Sequence, residues 1–122
     1  MKLWICFILT LGISFGQPIN TMVGTEYVFD GDGKSAAQAP LGLTMCVAIH
    51  PSTNEAYFCD TDNNMVMRLR ADGVLFVVAG NGRPGFSGDG GPAKEASLYT
   101  PRQVAFDRQG NLFIADMVNQ RI

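Results

Sequence analysis

The sequence predicts an all-β chain that contains two copies of one small antiparallel unit. Residues 29–49 align with residues 86–106 at an offset of 57, with nine identical pairs in 21 positions. After a slip of one residue, residues 55–66 align with residues 111–122 at an offset of 56. Short apolar segments lie between turns, and no sustained 3.6-residue period is present, which favours strands over helices.

Four short strands are expected in the first copy. Val47–Ile49 and Ala56–Cys59 flank the turn HPSTNE, Met65–Arg70 follows, and Val74–Ala79 comes after an Ala-Asp-Gly turn. The second copy repeats the first two strands, and residues 93–98 have room for one helical turn. Four strands in about 50 residues is the content of one β-propeller blade. A single blade leaves a hydrophobic sheet face uncovered, so a neighbouring unit must bury it.

The second copy resembles the NHL repeat, the blade of a family of six-bladed β-propellers. The run AGNGRPGFSGDGGPAKEASLYTPRQVAFDRQGNLFIADMVNQRI, from Ala79 to Ile122, matches the repeat pattern almost position for position, and the first copy matches more loosely. The resemblance implies four-stranded antiparallel blades, with one repeat in residues 29–85 and a truncated repeat in residues 86–122. Related propellers include the gluconolactonase and regucalcin type and the peptidyl-hydroxyglycine lyase domain. The same scaffold carries unrelated activities, so the resemblance specifies fold rather than function.

Residues 1–16 are expected to be a secretory signal peptide. Lys2 precedes an apolar run that ends in the small residues Ser14 and Gly16, which suit cleavage after Gly16. The run is shorter than the ~20 residues of a membrane span, and an uncleaved membrane anchor is the alternative. We therefore expect a secreted protein that has no membrane association after cleavage.

Residues 17–28 would form an N-terminal segment in which Ile19–Val23 is a candidate for the outer strand that closes the ring. Two units cannot close a ring by themselves, because propellers have ~4–8 blades. The favoured interpretation is that the chain is the N-terminal part of a longer protein. The alternative is that several copies of this chain assemble into one ring.

The charge of the chain excludes some partners. Without Lys2, eight Lys and Arg stand against eleven Asp and Glu, and no basic cluster remains. Nucleic acid and anionic membranes are therefore not expected partners.

Two cysteines remain after signal cleavage, an even number in an oxidising compartment. If Val47 pairs with Phe58, Cys46 lies opposite Cys59 on the neighbouring strand. Opposed side chains in this position have nearly the spacing of a disulfide. We predict a disulfide between Cys46 and Cys59, and two buried thiols are the alternative.

The glycine-rich loops are the candidate ligand sites. Gly80–Gly85 spells G-x-G-x-x-G after an apolar strand, but the following FSGDGGPA cannot open the helix that holds a pyrophosphate, so no cofactor is expected. Asp30 and Asp32 stand at positions 1 and 3 of a calcium-loop count. Ser35 and Leu41 stand where that loop needs Gly and Glu. A loose surface cation at the two aspartates is the remaining metal alternative, and no metal site is assigned.

A structural role for these loops explains more of the sequence. The tripeptides Gly31-Asp32-Gly33 and Gly88-Asp89-Gly90 occupy equivalent positions in the long links between blades. Glycine permits positive φ, and aspartate can accept hydrogen bonds from amides one or two residues ahead. Phe29 and Phe86 are expected to pin each link to the core.

Asp60 and Asp116 end the second strand of each copy, with Asn63 and Asn119 three residues later. Repetition at equivalent positions favours a hydrogen bond that closes the turn, because ligands that converge from different blades must differ. His50 is the only histidine, and the sequence places no nucleophile near it. No catalytic residue is therefore assigned.

The favoured function is a secreted, non-catalytic propeller segment that binds an unknown protein or glycan partner through its loops. The alternative is a fragment of a metal-dependent propeller enzyme, of the lactonase or amidating-lyase type, whose site residues lie in other blades.

Overall fold

The computed structural model describes residues 29–122, and the predicted signal peptide and residues 17–28 lie outside that range. The chain forms a four-stranded antiparallel sheet of order β1-β2-β3-β4, followed by a two-stranded antiparallel sheet of β5 and β6. The strands are β1 (Thr44–Ile49), β2 (Ala56–Asp60), β3 (Met65–Leu69), β4 (Leu75–Ala79), β5 (Pro101–Phe106) and β6 (Leu112–Asp116). The predicted all-β class and four-stranded unit are confirmed.

The strand register follows the sequence prediction. Val47 lies opposite Phe58, the pairing on which the cysteine prediction rests, and Ile49 lies opposite Ala56. The register shifts between Thr44 and Val47, and β5 has an irregularity at the equivalent point of its own pairing. Such bulges bend a strand and re-aim its side chains, and this one lies at the predicted disulfide.

Two hydrophobic clusters hold the described residues together. The first lies on one face of the first sheet and contains Phe29, Met65, Met67, Leu75 and Val77. The second joins the two sheets and contains Cys59, Val66, Ala79, Leu98 and Val104. The second cluster buries a sheet face that one unit alone would expose. Each fully buried aliphatic or aromatic side chain contributes roughly 1.5–3 kcal/mol to the free energy of unfolding.

The link that precedes β1 covers the outer edge of β4. The Leu75 N–H donates to the Lys34 carbonyl at 2.8 Å, and the Gly33 N–H donates to the Leu75 carbonyl at 2.8 Å. The Val77 N–H donates to the Asp32 carboxylate at 2.8 Å. A free sheet edge invites pairing with other chains, and these three bonds occupy the first part of that edge from within the same unit.

The expectation that both phenylalanines pin their links to the core is right for Phe29 and wrong for Phe86. Phe29 is 7% exposed and packs against residues of β3 and β4, whereas Phe86 is 62% exposed. The second unit of the described residues consists of β5 and β6, so it provides no such cover. The guanidinium of Arg121 lies 4.1 Å from the Phe86 ring centroid instead, which is a cation–π contact.

The helical segments of residues 29–122 are two short 3-10 turns, Ala36–Gln38 and Ala93–Glu95. The second one is the single turn expected within residues 93–98. In this part of the chain, no helix has the length and hydrophobicity of a membrane span.

Candidate functional site

Asp60 is a fully buried carboxylate at the end of β2. Both of its oxygens accept the Gly42 N–H at 3.2 Å, and one accepts the side-chain amide of Asn63 at 2.6 Å. The Asn63 amide also donates to the Pro40 carbonyl at 3.1 Å. Asp60 and Asn63 therefore hold the turn after β2 against the link before β1.

Asp116 has the same arrangement in the second unit and is 2% exposed. It accepts the Tyr99 N–H at 2.6 Å, the Asn119 side-chain amide at 2.7 Å and the Arg121 Nε at 2.8 Å. The Asn119 amide also donates to the Gly85 carbonyl at 2.7 Å. Both buried aspartates thus accept several hydrogen bonds from donors of the protein itself.

The two Gly-Asp-Gly loops use their aspartates differently. Asp32 accepts the Val77 N–H of β4 and the Lys94 ammonium at 3.1 Å, rather than an amide one or two residues ahead. Burial acts to raise the pKa of Asp32, but the Val77 N–H and Lys94 outweigh it and hold the pKa below its ordinary value. Asp89 is exposed and pairs with Arg121 at 2.6 Å, since the described chain has no second β4 for it to bind.

Glycine is needed in these loops for two reasons, namely a positive φ at some positions and close packing at another. Gly33, Gly88 and Gly90 have positive φ, as expected for left-handed turns. Gly31 has no positive φ, but a Cβ there would lie 2.5 Å from the ring of Phe29. Glycine at position 31 therefore makes room for the buried phenylalanine.

Asp30 forms an ion pair with Lys34 at 3.1 Å, whereas Asp32 pairs with Lys94. Within residues 29–122, no group of three His, Cys, Asp or Glu side chains is arranged to hold a metal ion. Each of the two aspartates of the first Gly-Asp-Gly loop thus has a lysine as its counter-charge.

The G-x-G-x-x-G loop is a corner between two backbone segments. The N–H groups of Gly80, Asn81 and Gly85 donate to carbonyls within residues 93–98 at 2.9, 2.9 and 3.1 Å. The Asn81 side chain adds a bond to the Ser97 hydroxyl at 3.0 Å. These N–H groups are used inside the fold, so the loop cannot offer them to a phosphate as a dinucleotide loop does.

Cys46 and Cys59 are two thiols whose Sγ atoms lie 2.8 Å apart. The bulge in β1 removes the direct pairing expected for Cys46 but leaves its side chain facing Cys59. Burial, and then the neighbouring Cys46 thiol, raise the pKa of Cys59 above its ordinary value. The sulfur atoms are thus placed for a disulfide, which stays a prediction.

His50 has a role that the sequence did not indicate. Its Nδ1 accepts the N–H groups of Ser52 and Thr53 at 3.2 and 3.3 Å, which closes the β1–β2 turn. Its ring lies 4.9 Å from the Phe106 ring and 5.9 Å from the Tyr57 ring. Tyr57 and Phe106 also meet edge to face at 4.8 Å, so these three rings join the two units.

At the end of the sheets opposite the β1–β2 turn, apolar side chains are exposed on backbone that hydrogen bonds hold in place. Thr61 connects the two units there, because its N–H donates to the Leu43 carbonyl at 2.9 Å and its hydroxyl donates to the Pro101 carbonyl at 2.8 Å. The Val118 N–H donates to the Tyr99 carbonyl at 3.2 Å. We call this surface the loop end, and its exposed side chains are Leu43, Tyr99, Met117 and Val118.

The sequence is similar to short stretches of several much longer proteins. No protein-family model matches the chain. Mouse Teneurin-3 is 34% identical to it over 125 residues, which cover 90% of this chain. Human Teneurin-1 is 31% identical over 104 residues and human Teneurin-4 is 33% identical over 102 residues, covering 66% and 62% of this chain. The chain spans 4% of the length of each of these relatives.

A solved structure has a fold similar to that of the described residues. An auxiliary nutrient binding protein from Bacteroides thetaiotaomicron superimposes with a TM-score of 0.58 and 25% identity, over 81% of this chain and 25% of that chain. The described residues fold as antiparallel blades of the β-propeller type. The first blade has four strands, and the described part of the second has two.

Proposed function

We propose that this chain is a segment of a secreted, non-catalytic NHL-repeat propeller whose loop end binds an extracellular protein or glycan. The observation that carries the proposal is the exposure of Leu43, Tyr99, Met117 and Val118 next to links that are anchored by buried carboxylates.

Anchoring matters because ordering a loop on binding weakens affinity. The backbone of Tyr99 is held by Asp116, and the backbone on either side of Leu43 is held by Asp60 and Thr61. Their side chains are therefore presented without a further loss of backbone entropy. Tyrosine suits such a surface, since it offers a large apolar ring and a polar hydroxyl to either a protein or a sugar.

The buried carboxylates and the histidine of the described residues have structural partners. Asp60 accepts amide hydrogen bonds, Asp116 accepts amide hydrogen bonds and one from Arg121, and the Nδ1 of His50 accepts two backbone N–H groups. The similarity to a stretch of the teneurins, and to a protein described as nutrient binding, supports binding over catalysis for this segment.

We also propose that Cys46 and Cys59 form a disulfide in the secreted protein. The 2.8 Å separation of the sulfur atoms supports it, as does the oxidising compartment that a signal peptide implies. The bond would fasten β1 to β2 below the loop end.

The test begins with the full chain, expressed with its own N-terminus in secreting cells. We expect protein in the medium that begins at Gln17, and binding of that protein to members of a glycan array or a panel of extracellular domains. Tyr99→Ala should weaken this binding at least tenfold, whereas Phe86→Ala, at an exposed aromatic outside the loop end, should leave it unchanged.

Two results would overturn the proposal. One is retention of the chain inside the cell. The other is turnover of a sugar lactone or of a peptidyl-α-hydroxyglycine in the presence of Ca²⁺ or Zn²⁺, which would favour the propeller-enzyme alternative.

A further inference from the structure

The Gly80–Gly85 corner contains the one Asn-Gly pair of the sequence, Asn81-Gly82. In such a pair the backbone nitrogen of the glycine can attack the side-chain carbonyl of the asparagine, because glycine has no Cβ that would hinder the approach. The product of the attack is a cyclic succinimide. Whether a folded chain permits the reaction depends on the state of that nitrogen, on the polarisation of the carbonyl group and on access to water.

The nucleophile is the backbone nitrogen of Gly82. Among the described residues, the Gly82 N–H donates to no acceptor. The neighbouring N–H groups that do donate, to carbonyls of residues 93–98, are those of Gly80, Asn81 and Gly85. The hydrogen bonds that hold the corner therefore leave the one nitrogen that the reaction needs unoccupied.

The carbonyl group of the Asn81 side chain is polarised by a backbone N–H. Its Oδ1 accepts the Arg83 N–H at 2.9 Å, which is the bond by which an asparagine side chain commonly closes a turn. An N–H aimed at a carbonyl oxygen stabilises the negative charge that develops there when a nucleophile adds to the carbon. Asn81 and Arg83 are both exposed, so water reaches the site.

We propose that Asn81 is a site of spontaneous deamidation in this protein. The Gly82 nitrogen bonds to the Asn81 Cγ, its proton passes through water to the side-chain nitrogen, and that nitrogen leaves as ammonia. Water then opens the resulting succinimide at either carbonyl and yields aspartate or isoaspartate. One water is consumed and one ammonia is released, and no group is oxidised or reduced. The modification therefore needs no enzyme and no cofactor.

Deamidation removes a contact between the first blade and the link that leads to the second. The Asn81 side-chain amide donates to the Glu95 carbonyl at 3.1 Å and to the Ser97 hydroxyl at 3.0 Å. The carboxylate of the product has no proton to donate, so the Glu95 carbonyl loses its donor and faces a negative charge instead. Isoaspartate also inserts one carbon into the backbone of the corner. The corner is therefore weaker in the converted protein, and the converted fraction rises with the age of the molecule.

The full chain, purified from culture medium, tests this by incubation at physiological temperature and pH for increasing times. Peptide mapping by mass spectrometry locates the exchange of NH for O, and electron-transfer fragmentation distinguishes isoaspartate from aspartate. We expect conversion at Asn81 well before conversion at Asn54 and Asn111, which are also exposed but are followed by Glu and Leu. A synthetic peptide of residues 77–87 gives the rate in the absence of the fold.

Asn81→Gln is the matched control. It keeps a side-chain amide, but its cyclisation requires a larger ring, so it should remain unconverted over the same period. Asn81→Asp carries the charge of the product from the start, and its urea midpoint should lie below that of the fresh parent chain. The midpoint of the parent should fall with the converted fraction, whereas that of Asn81→Gln should stay constant. Far-UV circular dichroism verifies that both variants fold.

The proposal is overturned if the folded chain keeps the Asn81 amide while the peptide of residues 77–87 loses it, because the hydrogen bonds of the side chain would then protect the asparagine. Conversion of Asn54 or Asn111 as fast as that of Asn81 would overturn it as well. A urea midpoint that is the same for the fresh parent, the aged parent and Asn81→Asp would contradict the weakening of the corner.

Discussion

Oxidation of Cys46 and Cys59 should stabilise the protein by a calculable amount. The bond would close a loop of about 14 residues, for which loss of chain entropy in the unfolded state corresponds to about 3 kcal/mol. The sulfur atoms already lie 2.8 Å apart, so little rearrangement of β1 and β2 is needed. For a domain of this size, 1 kcal/mol shifts the thermal midpoint by about 4–8 °C. The oxidised protein should therefore melt about 12–24 °C above the reduced protein.

The assay is urea and thermal unfolding of the secreted chain with and without a phosphine reductant. A Cys46→Ala/Cys59→Ala double variant is the control, and its midpoint should not respond to the reductant. Mass spectrometry of the unreduced mature chain should show the loss of two hydrogens. Two titratable thiols in the denatured, unreduced protein would refute the reasoning, as would a midpoint that reduction leaves unchanged.

The reduced protein should show a pH dependence of its own. Burial, followed by the Cys46 thiol, raises the pKa of Cys59 above the ordinary value of 9.0. The free energy of unfolding is then unaffected by this thiol below pH 9.0, where it is protonated in both states. Above pH 9.0 the unfolded chain ionises while the folded thiol stays protonated, so stability falls by up to about 1.4 kcal/mol per pH unit. Cys59→Ala should remove this decline.

Three further predictions follow from the buried and paired groups, each measured by urea unfolding. Asp60→Ala should cost about 3 kcal/mol, since it leaves buried donors without an acceptor; a loss below about 1 kcal/mol would contradict the anchoring role. Phe29→Ala should cost about 3–5 kcal/mol, whereas Phe86→Ala should cost no more than about 1 kcal/mol from its cation–π contact, and equal losses would refute the contrast in burial. Asp32→Ala should cost about 1 kcal/mol, allowing for solvent screening. Because the folded pKa of Asp32 is lowered, its contribution is complete above the ordinary pKa of 3.8 and is lost as the pH falls below it, and a pH-independent difference between parent and variant would contradict this.

The fold was predictable because its determinants are local. Alternation of apolar residues, together with the turns that separate them, defines the strands, and the repeat defines the unit. The register of Val47 with Phe58 follows from the length of the turn between them. The bulge at Cys46 was not predictable, because nothing in the local sequence distinguishes a bulged strand from a regular one.

The partners of the loop residues were not predictable, because they lie far away in the sequence. The amide that binds Asp32 belongs to Val77, 45 positions later. His50 contacts Phe106, whose counterpart in the first unit is the aliphatic Ile49, so the repeat gave no signal of the aromatic contact. The exposure of Phe86 shows that equivalent sequence gives equivalent burial only when the covering strands are also present.

The cover that residues 32–36 provide for β4 has a consequence for synthesis. The covering residues leave the ribosome before the strand that they cover, so β4 meets its partner as soon as it emerges. An edge that had to await a later segment would stay open to other nascent chains for as long as translation of that segment took. The order of segments along the polypeptide thus protects the first blade against aggregation while the rest of the chain is still being made.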